Sequence, residues 1–181
     1  MKDKRLSAYL SELYRWNKKI NLTSVNEKDA VKILVEPSLG MAEFMPEKGR
    51  VVDIGSGGGI PGIILSLRFP ECEFLLVDSD GKKSAFLAHV AGMLKLTNAR
   101  AVRERSEKLA VMAGFSGTAD VVVSRAVKRE DVFASAVGLL KPGGLVILHH
   151  SSKPLEPDAR FESVGNNEFA DCWRMINPAS A

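Results

Sequence analysis

Residues Arg50 to Leu65 read RVVDIGSGGGIPGIIL. An apolar run carrying one acid, Asp53, leads into five glycines within eight residues: Gly55, Gly57, Gly58, Gly59 and Gly62. Glycine lets the chain take left-handed turns and lets a ligand approach the main chain where any Cβ would collide. Between a strand and a helix, such a turn is where an open α/β sheet binds its ligand. The stretch fits two registers. Gly57, Gly59 and Gly62 satisfy G-x-G-x-x-G, the turn that cradles a pyrophosphate. Asp53, Gly55, Gly57 and Gly59 make a different pattern, an acid at the strand's end followed by alternate glycines.

On either side of this stretch the apolar periodicity differs. Leu6, Tyr9, Leu10, Leu13, Tyr14 and Ile20 recur at helical spacing and predict an amphipathic helix over 3–19. A loop and two shorter helices come next, broken near Pro37. From Arg50 onward, short apolar strands are predicted at 50–54, 73–78, 99–103, 119–124 and 144–149. Helices are expected between them at about 60–69, 81–95, 105–113 and 129–140. Strands that are apolar throughout, each followed by a helix, imply a parallel sheet covered on both faces. The expected architecture is α/β: a Rossmann-like, doubly wound, mostly parallel sheet over 49–181. A helical N-terminal cap over 1–48 packs on it, making one compact unit.

Composition narrows the function classes. No apolar run approaches the ~20 residues of a membrane helix. The start, MKDKRLSAYLSELYRW, alternates charge with apolar residues, unlike a signal peptide or an anchor. Cys72 and Cys172 lie far apart and form no metal-ligand spacing, so no metal is expected. They read as two free thiols in a reducing cytoplasm. The net charge of +3 is small but unevenly spread. Residues 1–20 hold six Lys/Arg against two acids, and residues 81–130 hold ten against four. Two basic segments in one small domain suit a phosphate-bearing partner.

Segments beyond the glycine loop choose the ligand. Asp78 ends the second strand, where a carboxylate accepts hydrogen bonds from both ribose hydroxyls of an adenosine. That requirement is shared by nicotinamide dinucleotides and S-adenosylmethionine. LLKPGGLVIL, Leu139 to Leu148, is a helix end, a Pro-Gly-Gly turn and a strand. With Asp53, the loop and Asp78 at their intervals, it resembles the class I methyltransferases that use S-adenosylmethionine. A dehydrogenase would also need a substrate domain and an acid/base for hydride transfer, for which the chain has little room.

The resemblance then narrows. RWNKKINLTSV (Arg15–Val25), DIGSGGGIPGIILSLRFP (Asp53–Pro70), LLVDSDGKKSAFL (Leu75–Leu87), LKLTNARAVRERSEKL (Leu94–Leu109) and ADVVVSRAV (Ala119–Val127) occur in this order. Together they resemble the bacterial 16S ribosomal RNA guanine-N7 methyltransferase family, the glucose-inhibited division protein B type, over about residues 10 to 148. The resemblance implies that Gly55 and Ile60 contact the cofactor, with Asp53, Gly57 and Gly59 completing the loop. It implies that Ser106 and Glu107 lie near the adenine. It also implies that Arg125, at the fourth strand's end, faces the pocket and positions the reacting groups. Lys82, Lys83, Arg103 and Arg105 are the candidate RNA-binding residues. The implied partner is 16S ribosomal RNA or the small ribosomal subunit.

Several residues depart from the family's pattern. Leu34 and Pro37 stand where a His and the Asp of Asp-Ser-Leu are usual. His149 and His150 come after Leu148 in place of Lys and Gly, and residues 151–181 are acidic on balance rather than basic. These positions bear on the RNA-facing surface and leave the cofactor residues intact. A catalytically silent adenosyl-binding module and a methyltransferase for another substrate therefore stay open as alternatives.

Overall fold

The computed structural model describes residues 4–150 and 159–176. A helix, α1 (Lys4–Asn17), opens the chain and is followed by a loop. A 3-10 turn (Glu27–Asp29), a π-helical turn (Val31–Val35), α2 (Glu36–Gly40) and another 3-10 turn (Met41–Phe44) then run on from one another. Next come β1 (Gly49–Ile54), α3 (Gly62–Arg68), β2 (Cys72–Val77), α4 (Gly81–Met93), β3 (Ala99–Val102) and α5 (Ser106–Leu109). The chain continues through β4 (Ala119–Ser124), α6 (Arg129–Leu139), β5 (Leu140–His149), β6 (Phe161–Asn166) and β7 (Ala170–Met175). The seven strands form one sheet in the order β3-β2-β1-β4-β5-β7-β6. The first five are parallel, and β7 pairs antiparallel with both β5 and β6. This is the doubly wound, mostly parallel sheet that the apolar strands imply.

Alternation along the strands builds two cores, because successive side chains point to opposite faces. Val51, Phe74, Leu76, Val121, Val123 and Ile147 face α3, α4 and the N-terminal elements, and share a core with Tyr9, Leu13, Leu34, Val35 and Met41. Val52, Leu75, Val77, Val122, Val146 and Leu148 face the other way, packing with Val132, Phe133 and Ala136 of α6. Asp53 lies on the Val51 face, so its carboxylate is directed into the first core. The β6–β7 hairpin extends the second core: the Phe133 ring lies 4.8 Å from Phe161 and 5.4 Å from Trp173, centroid to centroid.

Three features differ from the expectations. The helix expected over 105–113 is a single turn, Ser106–Leu109, which relaxes into turns where Val111 and Met112 are exposed. Pro37 does not break the helical run of the cap. It sits in the first turn of α2, and a donor from elsewhere in the fold serves the carbonyl four residues back that its missing N–H cannot reach. The hairpin after residue 159 is additional to the expected strands. Its strands are as long as β1, β2 and β4, but their apolar residues, Phe161, Val164, Ala170, Cys172, Trp173 and Met175, are interleaved with charged or polar ones.

The cap is joined to the sheet by named bonds. The Tyr9 hydroxyl, fully buried, donates to the Gly58 carbonyl at 2.6 Å. Asn17 ends α1 and clamps the next loop: its Oδ1 accepts from the Leu22 and Thr23 amides and its Nδ2 donates to the Thr23 carbonyl. Glu12 accepts from Trp16 Nε1 at 2.7 Å and from His89 Nε2 of α4 at 2.6 Å, and from Arg15. Tyr9→Phe keeps the packing and leaves the Gly58 carbonyl without its donor. It should lower the unfolding free energy by about 1–3 kcal/mol in a denaturant titration, the usual cost of a buried unsatisfied acceptor.

Candidate functional site

The glycine loop between β1 and α3 is wound around the Asp53 carboxylate. Asp53 is wholly buried, and its Oδ2 accepts from the Ser56 hydroxyl at 2.7 Å and from the Gly62 amide at 3.0 Å. A Cβ at Gly62 would lie 2.4 Å from that oxygen, so no larger residue fits there. The other oxygen, Oδ1, is buried and has no hydrogen-bond partner. Burial pushes the Asp53 carboxyl up from 3.8 to about 7, against the downward pull of Ser56 and Gly62.

A second carboxylate holds the loop from the β2 side. Asp78 Oδ2 accepts from the Gly57 amide at 2.9 Å and Oδ1 accepts from the Asp80 amide at 2.9 Å. Each carboxylate oxygen has a further lone pair, so Asp78 keeps the capacity to accept from a ligand. Gly57 has φ +53 and a Cβ there would meet no protein atom closer than 3.7 Å. It would instead project into open space beside Asp78. Gly55, at φ +71, is different: a Cβ would lie 2.3 Å from Val127 Cγ2.

Two cavities flank this loop and share Gly55. The first, about 430 Å³, is lined by Gly55, Asp78, Ser106, Glu107, Val127, Asp131 and Ser135, among others. It opens at the carboxyl ends of β1, β2 and β3, with Val127 from beyond β4, the position where such sheets bind nucleotides. The Ser135 hydroxyl donates to Ser106 Oγ at 3.0 Å, tying α6 to the start of α5. The second cavity, about 410 Å³, is lined by residues 21–25, Leu34, Gly55, Ser56, Gly57, Gly58, Ile60, Lys83, Arg125 and Ala126. Its wall on one side is the loop that Asn17 clamps. Among the described residues, no Asp, Glu or His lines this cavity.

The sequence-predicted residues therefore separate into groups. Gly55, Asp78, Ser106 and Glu107 gather at the first cavity; Gly55, Gly57, Ile60 and Arg125 gather at the second. Asp53 and Gly59 line neither and support the loop from behind. Ser106 is the first residue of α5 rather than its cap, which is Arg105. Arg125 does line the second cavity, but its guanidinium donates to the Ile33 and Leu34 carbonyls of the cap rather than standing free. Pro37 has no N–H to offer the Ile33 carbonyl four residues back, and Arg125 supplies a donor there.

The basic candidates are spread out. Arg105 lies at the first cavity, 3.9 Å from Glu107, and the Arg103 guanidinium packs over Gly81. Lys82 and Lys83 lie on the opposite side of α4's start, facing Lys19 and Asn21. His150 Nδ1 donates to Asp171, which also pairs with Arg129 at 3.0 Å. Burial, followed by nearby cations including Arg125 and Arg129, holds the His149 imidazole below its usual 6.5. Tyr9, Asn17 and Val127 also shape the site, and sequence reasoning misses all three. Asn17 lies inside the quoted RWNKKINLTSV, but only its side-chain geometry signals its role.

Known proteins resemble this chain in sequence along most of its length, and in fold. A family model for rRNA small subunit methyltransferase G matches residues 2–162. The ribosomal RNA small subunit methyltransferase G of Stutzerimonas stutzeri is 42% identical over 173 residues, covering 94% of this chain and 78% of that protein. That of Polynucleobacter asymbioticus is 37% identical over 178 residues, covering 94% and 76%. A solved SAM dependent methyltransferase from Aquifex aeolicus shares the fold with a TM-score of 0.62 at 14% identity, over 93% of this chain and 98% of that one.

Asp53 makes a pH-dependent contribution of known sign. Between 3.8 and about 7 the folded protein holds a proton that the unfolded chain has released. The group favours folding fully below 3.8, and this contribution is lost as pH rises to about 7. Glu12 works in a separate window: Arg15 holds its carboxyl down to about 2, so its contribution is present above 4.5 and lost as pH falls to about 2. Asp53→Asn should therefore flatten the fall in stability between those first two pH values and leave the acid limb unchanged. Denaturant midpoints measured across that range check this, and identical slopes in both proteins would contradict it.

Proposed function

The chain belongs to the rRNA small subunit methyltransferase G family, and we propose that it methylates N7 of a guanine in 16S ribosomal RNA, on the small ribosomal subunit in the cytoplasm. Its methyl donor is S-adenosylmethionine. The residues present fit that cofactor. The first cavity offers Asp78 to ribose hydroxyls and the Ser106–Glu107 segment to an adenine. Gly55 and Gly57 lie on the path between the cavities, and the wholly buried Asp53 holds that loop in place from behind through Ser56 and Gly62.

The second cavity is the acceptor side, and its lining is the observation that carries the N7 assignment. A nucleophile that loses a proton on methylation needs a base; guanine N7 has a free lone pair and no proton. A cavity whose ionisable lining side chains, among the described residues, are the basic Lys83 and Arg125 suits an acceptor of that kind. When bound, the cofactor supplies a methyl on a sulfonium, so a C–S bond breaks as the N7–C bond forms and the positive charge passes to the purine. The protein's share is alignment and exclusion of water. Gly55 and Val127 set how closely the two cavities meet. Arg125, fastened to Ile33 and Leu34, positions the wall formed by the cap.

The deciding experiment is mass spectrometry of 16S RNA from cells with and without this protein. Loss of one 7-methylguanosine in the deletion, restored by the gene, is the expected result. Unchanged 7-methylguanosine would overturn the N7 reading, whatever other methylation is found.

Substitutions separate the roles. Asp78→Ala removes the ribose acceptor and frees two backbone amides. It should raise the dissociation constant for S-adenosylmethionine about tenfold to a hundredfold and lower the melting temperature as well. Gly57→Val places a branched side chain at a left-handed φ and in the ligand's space, and should abolish cofactor binding in a protein that still folds. Arg125→Lys keeps the charge and loses the fork that spans two carbonyls. Its transfer rate should fall while cofactor affinity stays within about threefold, as read by calorimetry beside single-turnover kinetics.

A further inference from the structure

A third cavity, about 320 Å³, lies where the loop after α1 meets the first turn of α4, lined by Lys19, Ile20, Asn21, Asp80, Lys82 and Lys83. It shares Asn21 and Lys83 with the acceptor cavity, so the two are neighbours through one thin wall. From these features we propose that this cleft is a phosphate subsite that holds the RNA backbone beside the acceptor guanosine. The inference rests on the second cavity being the acceptor side.

Charge and rigidity both point to it. Three lysines line the cleft, and among the described residues none of them is in an ion pair within 4.0 Å. The one acid among the described lining residues, Asp80, accepts through Oδ1 from the Lys82 amide at 2.7 Å and the Lys83 amide at 3.1 Å; its charge faces those of Lys82 and Lys83, and the lysines remain in excess. Those two bonds consume the amides at the start of α4, so the lysine side chains rather than the helix end are the anion ligands. Both walls are fixed. The Lys19 and Ile20 amides donate to the Trp16 carbonyl at 2.8 and 3.0 Å, and Asn17 clamps the residues just beyond. Ile20 packs its side chain against the first core, so Lys19 stands on an anchored turn. Lysines on a rigid cleft are compact point charges suited to a phosphate. Arg103 and Arg105 are directed elsewhere, one over Gly81 and the other beside Glu107 at the first cavity. The RNA path accordingly runs over the Lys19–Lys82 side.

The test uses Lys19→Gln and Lys82→Gln combined, both residues being exposed, with Lys48→Gln, before the start of β1, as control. Undermethylated 16S RNA is the probe. The double variant should raise KM for RNA about tenfold and reduce the slope of log affinity against log salt by about 1. Affinity for S-adenosylmethionine and kcat at saturating RNA should stay within about threefold of wild type. Lys19→Arg with Lys82→Arg should restore the salt slope, which a purely structural role would not require. A folded double variant with wild-type KM and salt slope overturns the subsite. If wild type binds the RNA without methylating guanine N7 and the double variant still loses affinity, the subsite stands and the reaction reading falls. Failure of wild type to bind RNA at all overturns both.

Discussion

A buried carboxylate with one satisfied oxygen organises this molecule. Burying an acid is costly unless donors surround it, and the chain supplies two of them by folding its glycine loop back over Asp53. Ser56 and Gly62 bracket the turn, so bonding both to one oxygen sets the loop's width. Gly62 must lack a side chain for α3 to begin that close to the carboxylate. Everything that the loop presents outward, from Gly55 to Ile60, depends on this attachment at its back.

The loop is then held from two further directions. Asp78 draws the Gly57 amide toward β2, while Tyr9 reaches from α1 to the Gly58 carbonyl. These bonds pull opposite sides of the same turn, and the space divides accordingly. One cavity lies on the β2 side, among Asp78, Ser106 and Glu107; the other lies under the cap, against residues 21–25. The N-terminal segment is therefore a wall of the site. Its departures from the family pattern are absorbed locally: the Ile33 carbonyl that Pro37 cannot serve is taken by Arg125, which ties that wall to the end of β4.

His149 and His150 show how a surface departure can be structural. His150 joins Asp171 and Arg129, and Arg129 also donates to the His149 carbonyl and lies over the Trp173 ring. This cluster fastens β5, β7 and α6 at the sheet's end. In the sequence, the two adjacent histidines stand only as a departure from the family's pattern that bears on the RNA-facing surface. The partner that engages one of them lies in a hairpin whose strands carry too weak an alternation to be read from sequence.

How much of the protein is legible in its sequence depends on the range of the forces involved. The five parallel strands, the turn at Asp53 and the acid at Asp78 are visible because strand apolarity and glycine content are local properties, expressed within a few residues. The grouping of Gly55, Asp78, Ser106 and Glu107 at one cavity is also local in origin, since each ends or succeeds a strand of the same parallel sheet. The tertiary structure decided what depends on residues far apart in the chain. Arg125 meets Leu34 across 91 positions, and Tyr9 meets Gly58 across 49. The isolation of Asp53 Oδ1, the sorting of the basic residues onto separate faces and the cap's place as a cavity wall are of the same kind. Periodicity specifies which face of a strand or helix is buried, but only packing specifies which distant group is buried against it.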